Sequence, residues 1–175
     1  MPPSDPTDVF PYVNAIRLMI GGYGEYSRDK RREDDIAVRG EVSRAAARLR
    51  SHLENIHDEA YRQGDRELAK VATGAIQDVD ALCDLVDKAH VGGEFPFFAI
   101  QKSISKSTIK KLIKHDHGTL DMVRGAVRKS NEAEEAMAGG DNQSAMEMTL
   151  SCRRSISSCQ GHFTERLSVM RKVKK

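Results

Sequence analysis

From Val42 to Ala60 the residues Val42, Ala46, Leu49, Leu53, Ile56 and Ala60 follow one another at alternating steps of four and three. That is the heptad pattern of a helix presenting one continuous apolar seam to its neighbours. The pattern resumes after Gly64-Asp65 with Leu68, Ala72, Ala75, Val79, Leu82, Val86 and Ala89. Ile100, Ile104, Ile109, Ile113, Leu120, Val123 and Val127 predict a third helix, with Gly118 as a kink point or Ser107 as the cap of a fresh segment. A fourth carries Ala145, Met148, Cys152, Ile156, Cys159, Phe163, Leu167 and Met170. Upstream, Val13, Ile16, Met19 and Ile20 predict a short helix that stops at Gly21-Gly22-Tyr23-Gly24.

The junctions within the two long pairs share a phrase. Glu59 to Ala69 and Glu135 to Ala145 both read Glu-Ala-x-x-x-Gly-Asp-x-x-x-Ala, offset by 76 residues. Gly suits a left-handed position that ends one helix, and Asp is a preferred N-cap for the next. The pattern therefore predicts an all-α fold: an antiparallel bundle of four long helices in two hairpins, 33–91 and 96–172, behind a disordered stretch (1–8) and a short helix with a charged linker (9–32). Small seam residues such as Ala46, Ala60, Ala72 and Ala75 favour close helix approach in a left-handed bundle.

Composition agrees with that prediction. All five prolines lie at positions 2, 3, 6, 11 and 96, leaving two long proline-free tracts in a chain of 175 residues. Proline disrupts helix interiors, so this placement favours helices. No apolar run approaches the roughly 20 residues that a membrane-spanning helix needs, and no secretory leader is legible at the N-terminus. Three cysteines without a Cys-x-x-Cys pair predict free thiols and a reducing cytoplasmic setting rather than a disulfide framework.

Charge changes the picture more. Residues 33–90 carry 13 acids against 8 bases, whereas 97–130 carry 8 bases against 2 acids. Residues 131–150 are again acidic and 151–175 again basic, with 7 bases against 1 acid. Blocks of this kind suit complementary packing between antiparallel neighbours.

Several residue sets offer chemistry on this frame. Asp80, Asp84 and Asp87 share one helical face and are the candidate ligands of a hard cation, provided another helix supplies more oxygens. The paired Gly-Asp hairpins together with Asp80-Ala81-Leu82-Cys83-Asp84 resemble PhoU-type bundles of phosphate-uptake regulators, and the resemblance implies an acid-x-x-x-Asp metal motif in each repeat. Here the second-repeat positions are Ile156 and Gln160, so one of the two motifs is absent. Arg50 and His57, seven apart on one helical face, resemble the active-site motif of HEPN-type ribonucleases. That resemblance implies phosphate polarisation and proton transfer from an attacking 2′-hydroxyl. Their repeat counterparts are Ala126 and Ala133.

Lys102, Lys106, Lys110 and Lys114 recur every fourth residue, joined by Lys111, and form a stripe able to follow a phosphate backbone or an anionic surface. Pairing with an acidic face of a neighbouring helix accounts for the stripe equally well. His115 and His117 point about 200° apart on a helix and do not share an ion. Phe95, Phe97 and Phe98 form an aromatic cluster suited to a protein contact or to capping the end of the bundle. With no cofactor motif legible, the sequence points to a non-enzymatic, cytoplasmic bundle acting through protein–protein contacts as an adaptor, regulator or assembly subunit, with homodimerisation compatible. The alternatives are a HEPN-like RNA-directed nuclease through Arg50 and His57, or binding of nucleic acid or an anionic surface through the lysine stripe.

Overall fold

The computed structural model of the chain describes residues 28–89 and 105–171. They form four helices: α1 (Arg28–Gln63), α2 (Arg66–Lys88), α3 (Lys106–Ala138) and α4 (Asn142–Arg171). The four helices pack against one another as an all-α bundle, and no strand occurs among the described residues. The short N-terminal helix expected over 10–20 lies outside the described residues. Two local expectations change. Helix α1 already runs from Arg28, inside the segment expected to be linker. Helix α3 passes through Gly118 unbroken and is capped by Ser105 instead of Ser107, the Ser105 hydroxyl accepting from Thr108 N.

Both bends take the form the shared phrase predicts. Gly64 and Gly140 have φ of 77° and 80°, the left-handed region open to glycine. At the first bend Asp65 N donates to Ala60 O and Gly64 N to Tyr61 O; at the second Asp141 N donates to Ala136 O and Gly140 N to Met137 O. These are paired closing bonds of the kind that satisfies the last carbonyls of a helix. The aspartates then cap the next helices. Asp65 Oδ1 accepts from Leu68 N at 3.0 Å, and Asp141 Oδ1 from Ser144 N at 3.0 Å. The Ser144 hydroxyl and N–H bonds also hold the Asp141 carboxyl below its ordinary range.

The principal helix contacts are α1–α2, α3–α4, α1–α3 and α2–α4. Around the bundle the order is therefore α1, α2, α4, α3, which leaves acidic α2 diagonal to basic α3. Asn142 Nδ2 donates to Gln63 Oε1 at 3.0 Å, so both Gly-Asp bends sit at one end. Consequently α1 runs parallel to α3, and α2 to α4.

The core follows the seams. Every seam residue named for α1 and α2 is buried. In α3 and α4 the seams also carry polar groups: Asp116, Thr119, Ser130, Thr149 and Arg166 are buried. Thr119 and Thr149 return their hydroxyl protons to the carbonyls of His115 and Ala145 one turn back, and Ser130 to that of Val127. Arg166 is 1% exposed and reaches two carboxylates. Its Nη1 donates to Asp35 Oδ1 at 2.7 Å, and its Nε donates to Asp116 Oδ1. Arg39 Nε in turn donates to Asp35 Oδ2 at 2.9 Å. Burial opposes the charge on Arg166, but Asp116 and Asp35 outweigh it and raise its pKa further. The cluster ties α1, α3 and α4 together at the end away from the bends.

Candidate anion-binding groove

Helices α3 and α4 lie antiparallel, with Cys152 Sγ directed to Ala126 O at 3.5 Å and Cys159 Sγ to Thr119 O at 3.8 Å. This register sets residues 122–129 opposite 151–158. On the outward side of the pair a groove of about 360 Å³ opens, lined by Met122, Gly125, Arg128, Lys129, Ser151, Arg154, Ser155 and Ser158. Lys129 is half-buried and its ammonium is held by hydroxyls alone: Nζ donates to Ser151 Oγ at 2.8 Å and to Ser155 Oγ at 3.1 Å. The Ser155 hydroxyl donates onward to Ser151 O, and that of Ser158 to Arg154 O. The Ser151 hydroxyl proton has no acceptor among the described residues.

Arg128 and Arg154 flank the groove from the two helices, both exposed. None of Arg128, Lys129 and Arg154 forms an ion pair with a described carboxylate. Residues 122–131 and 148–164 contain no Asp or Glu, and Glu132, one turn beyond Arg128, makes no ion pair with it. The groove thus carries three cations without an ion pair among the described residues, and the hydrogen-bond partners of Lys129 are neutral hydroxyls. A half-buried ammonium bonded only to hydroxyls leaves its charge uncompensated, and an incoming anion would supply the missing counter-charge.

Elsewhere the basic groups are engaged differently. Arg50 Nε donates to Asp80 Oδ1 at 3.0 Å, and its Nη1 is bonded to Glu54. The bond from Asp80 and the charge of Glu54 raise the Arg50 pKa. Two residues singled out for separate chemistries, Arg50 and Asp80, are therefore brought together as a pair between α1 and α2. His57 meets Asp58 at 3.0 Å and stacks on Tyr61, and Asp84 pairs with Lys88 at 3.1 Å. No group of three His, Cys, Asp or Glu able to hold a metal ion occurs among the described residues. Arg153 crosses to α2, donating to Asp78 Oδ2 at 2.9 Å over Gly74, where a Cβ would stand 2.9 Å from the guanidinium.

Lys110, Lys111 and Lys114 are exposed and make no ion pair with a described residue. Lys106 opens α3, while Lys102 and the cluster Phe95, Phe97 and Phe98 lie outside the described residues. Among the described residues the acidic face of α2 does not pair with Lys110, Lys111 or Lys114: its ion pairs to other helices run to α1 through Arg50 and to α4 through Arg153. The exposed large hydrophobic side chains among the described residues are Ile36, Tyr61 and Leu150, spread over two helices.

The cysteines offer no activated thiolate. Burial pushes Cys152 and Cys159 up to about 12. Cys83 is raised as well, by burial first and then by Asp80, Asp87 and Asp84. Near the far end, the rings of His115 and His162 meet at 4.8 Å between centroids, tilted by 58°. Burial, and then His162, lowers the His115 pKa from its ordinary 6.5.

The groove escaped the sequence reading because it needs the α3–α4 register, which places Lys129 against Ser151 and Ser155. The legible signal was the pair of acid-free segments. No protein-family model matches the chain, and no curated protein or solved structure gives a significant match. No described helix is long and apolar enough to cross a membrane.

Proposed function

We propose that this protein is a non-enzymatic binding protein whose α3–α4 face engages a nucleic-acid backbone. The observation that carries the reading is the run of cations on that face without an ion-pair partner among the described residues: Lys110, Lys111, Lys114, Arg124, Arg128, Lys129 and Arg154. From Lys110 to Lys129 they extend about 28 Å along α3 at about 1.5 Å per residue, the dimension of a backbone track rather than of a single small anion. His117 and Asp121, paired at 2.8 Å, interrupt the track once. Phe163 is the one Phe, Tyr or Trp in α3 and α4 and is buried, which argues for contacts to phosphate on this face and against base stacking, hence for binding that is indifferent to sequence.

Scattered exposed apolar groups give a helix-docking protein partner less support. Arg50, engaged by Asp80 and Glu54, gives an RNA-cleaving centre less support. The test is fluorescence anisotropy with a labelled single-stranded oligonucleotide across salt. With about five phosphates contacted and a slope of about −0.7 per phosphate, affinity falls about a hundredfold between about 50 and 200 mM salt. Lys110→Glu with Lys114→Glu lowers it further, and the oligonucleotide is recovered intact. Binding that ignores both salt and these substitutions rejects the reading. Cleavage that disappears in His57→Ala replaces it with the nuclease one.

A further inference from the structure

We infer that the groove between α3 and α4 is a subsite for one terminal phosphomonoester of a nucleic-acid strand. This inference rests on the backbone-binding reading for the remainder of the strand. Its ground is convergence. Along the rest of the track the cations come from one helix alone, with Lys110, Lys111 and Lys114 exposed on its surface, suited to phosphodiesters that each carry one charge. At the groove, Lys129, Arg128 and Arg154 come from two helices into one concavity and bring a formal charge of +3 with no carboxylate. A phosphomonoester carries about −1.5 to −2 at pH 7 and three strong acceptor oxygens, so it matches that charge density better than a diester does.

The hydroxyls make the same selection. Ser151 and Ser155 hold the Lys129 ammonium in place, and the Ser151 hydroxyl keeps its own proton free of any described acceptor. A phosphate oxygen there would accept from Lys129 Nζ and Ser151 Oγ together, with the guanidiniums of Arg128 and Arg154 at its flanks. The other lining groups are Met122, Gly125 and Ser158, and no aromatic ring is present to stack a base. The subsite therefore reads the phosphate and leaves the base outside.

Gly125 supplies the decisive variant. A Cβ at this position would meet nothing within 4 Å. Gly125→Leu therefore projects into the open groove, occupying it while removing no charge and without a clash at the Cβ. The experiment compares one single-stranded oligonucleotide in three forms, 5′-phosphorylated, 3′-phosphorylated and unphosphorylated, against the full chain at moderate salt. Circular dichroism of each variant serves as the folding control.

The expected result is at least a tenfold preference for one phosphorylated form. Gly125→Leu and Lys129→Met each abolish that preference, whereas Lys114→Met weakens all three forms alike. Inorganic phosphate competes away the preference and leaves the basal binding. Equal affinity for the three forms, with steep salt dependence retained, overturns the subsite while the backbone reading stands. A preference that survives Gly125→Leu also overturns it, by placing the phosphate elsewhere. Failure of all three forms to bind at low salt removes both readings together.

Discussion

Arg166 occupies a position that the repeat reserves for an apolar residue. It stands seven residues after Cys159, as Asp35 stands seven before Val42 and Asp116 seven before Val123. Three charged side chains thus share one layer of the core. Removing only the cation breaks a buried ion pair, which costs about 3–5 kcal/mol. Arg166→Met is expected to lose stability in that range in urea denaturation. Replacing the layer as a whole, with Asp35→Leu, Asp116→Leu and Arg39→Met added, recovers most of the loss, because Arg39 is then not left without Asp35 and an apolar layer avoids the desolvation cost. His115 makes a second prediction. Its folded pKa lies below its ordinary 6.5 because of burial and His162, despite the opposing charges of Glu165 and Asp116. As pH falls below about 6.5 the unfolded chain takes up the proton first, so stability is full above that value and declines through the lowered folded pKa. Urea midpoints measured from about pH 7 down to 5 follow that decline, and His115→Gln flattens it.

The hairpin bends are the elements most fully written in the chain. Gly-Asp at a constant offset implied a left-handed residue followed by a cap, and the closing and capping hydrogen bonds made by Gly and Asp occur at equivalent residues in both bends. At Gly140, with φ of 80°, alanine is expected to cost about 1–2 kcal/mol. Gly139, with φ of −79°, tolerates the same change, and thermal melts of the two variants separate them. A similar contrast holds inside the helices. Gly161 has open space at its Cβ position, so Gly161→Ala gains about 0.8–1.0 kcal/mol of helix propensity. At Gly118 a Cβ would meet the His162 ring at 2.8 Å, so Gly118→Ala forfeits that gain and lowers the melting temperature. Adding His162→Ala restores it. The seams of α1 and α2 were legible because every named seam position is apolar, although Asp35 and Glu41 are buried in α1 beside them. Those of α3 and α4 were legible only in part, since Asp116, Thr119, Ser130, Thr149 and Arg166 occupy core positions through hydrogen bonds that periodicity does not reveal. The groove was illegible for a different reason: it belongs to no single helix.

Across the whole molecule the two hairpins stand side by side with their bends together, and charge is partitioned with them. The α1–α2 hairpin carries more acids than bases from 35 to 89, and the α3–α4 hairpin more bases than acids from 105 to 171. The blocks do not simply cancel between neighbours, because α2 and α3 are diagonal. Among the described residues Lys110, Lys111, Lys114 and Arg128 stay exposed on α3, and the proposed binding depends on that topology. The charged layer has a temporal counterpart. Each Gly-Asp bend closes over a handful of residues, whereas Arg166 meets Asp35 across 131 residues of sequence. Such a contact forms only after both hairpins have been built and have docked, so it belongs to the last part of the folding path. Arg166→Met should therefore accelerate unfolding and leave the refolding rate nearly unchanged, a result that the two arms of a chevron plot read directly. Asp35, Asp116 and Arg166 would then act as a latch on the finished bundle, setting how long it stays closed more than how quickly it forms.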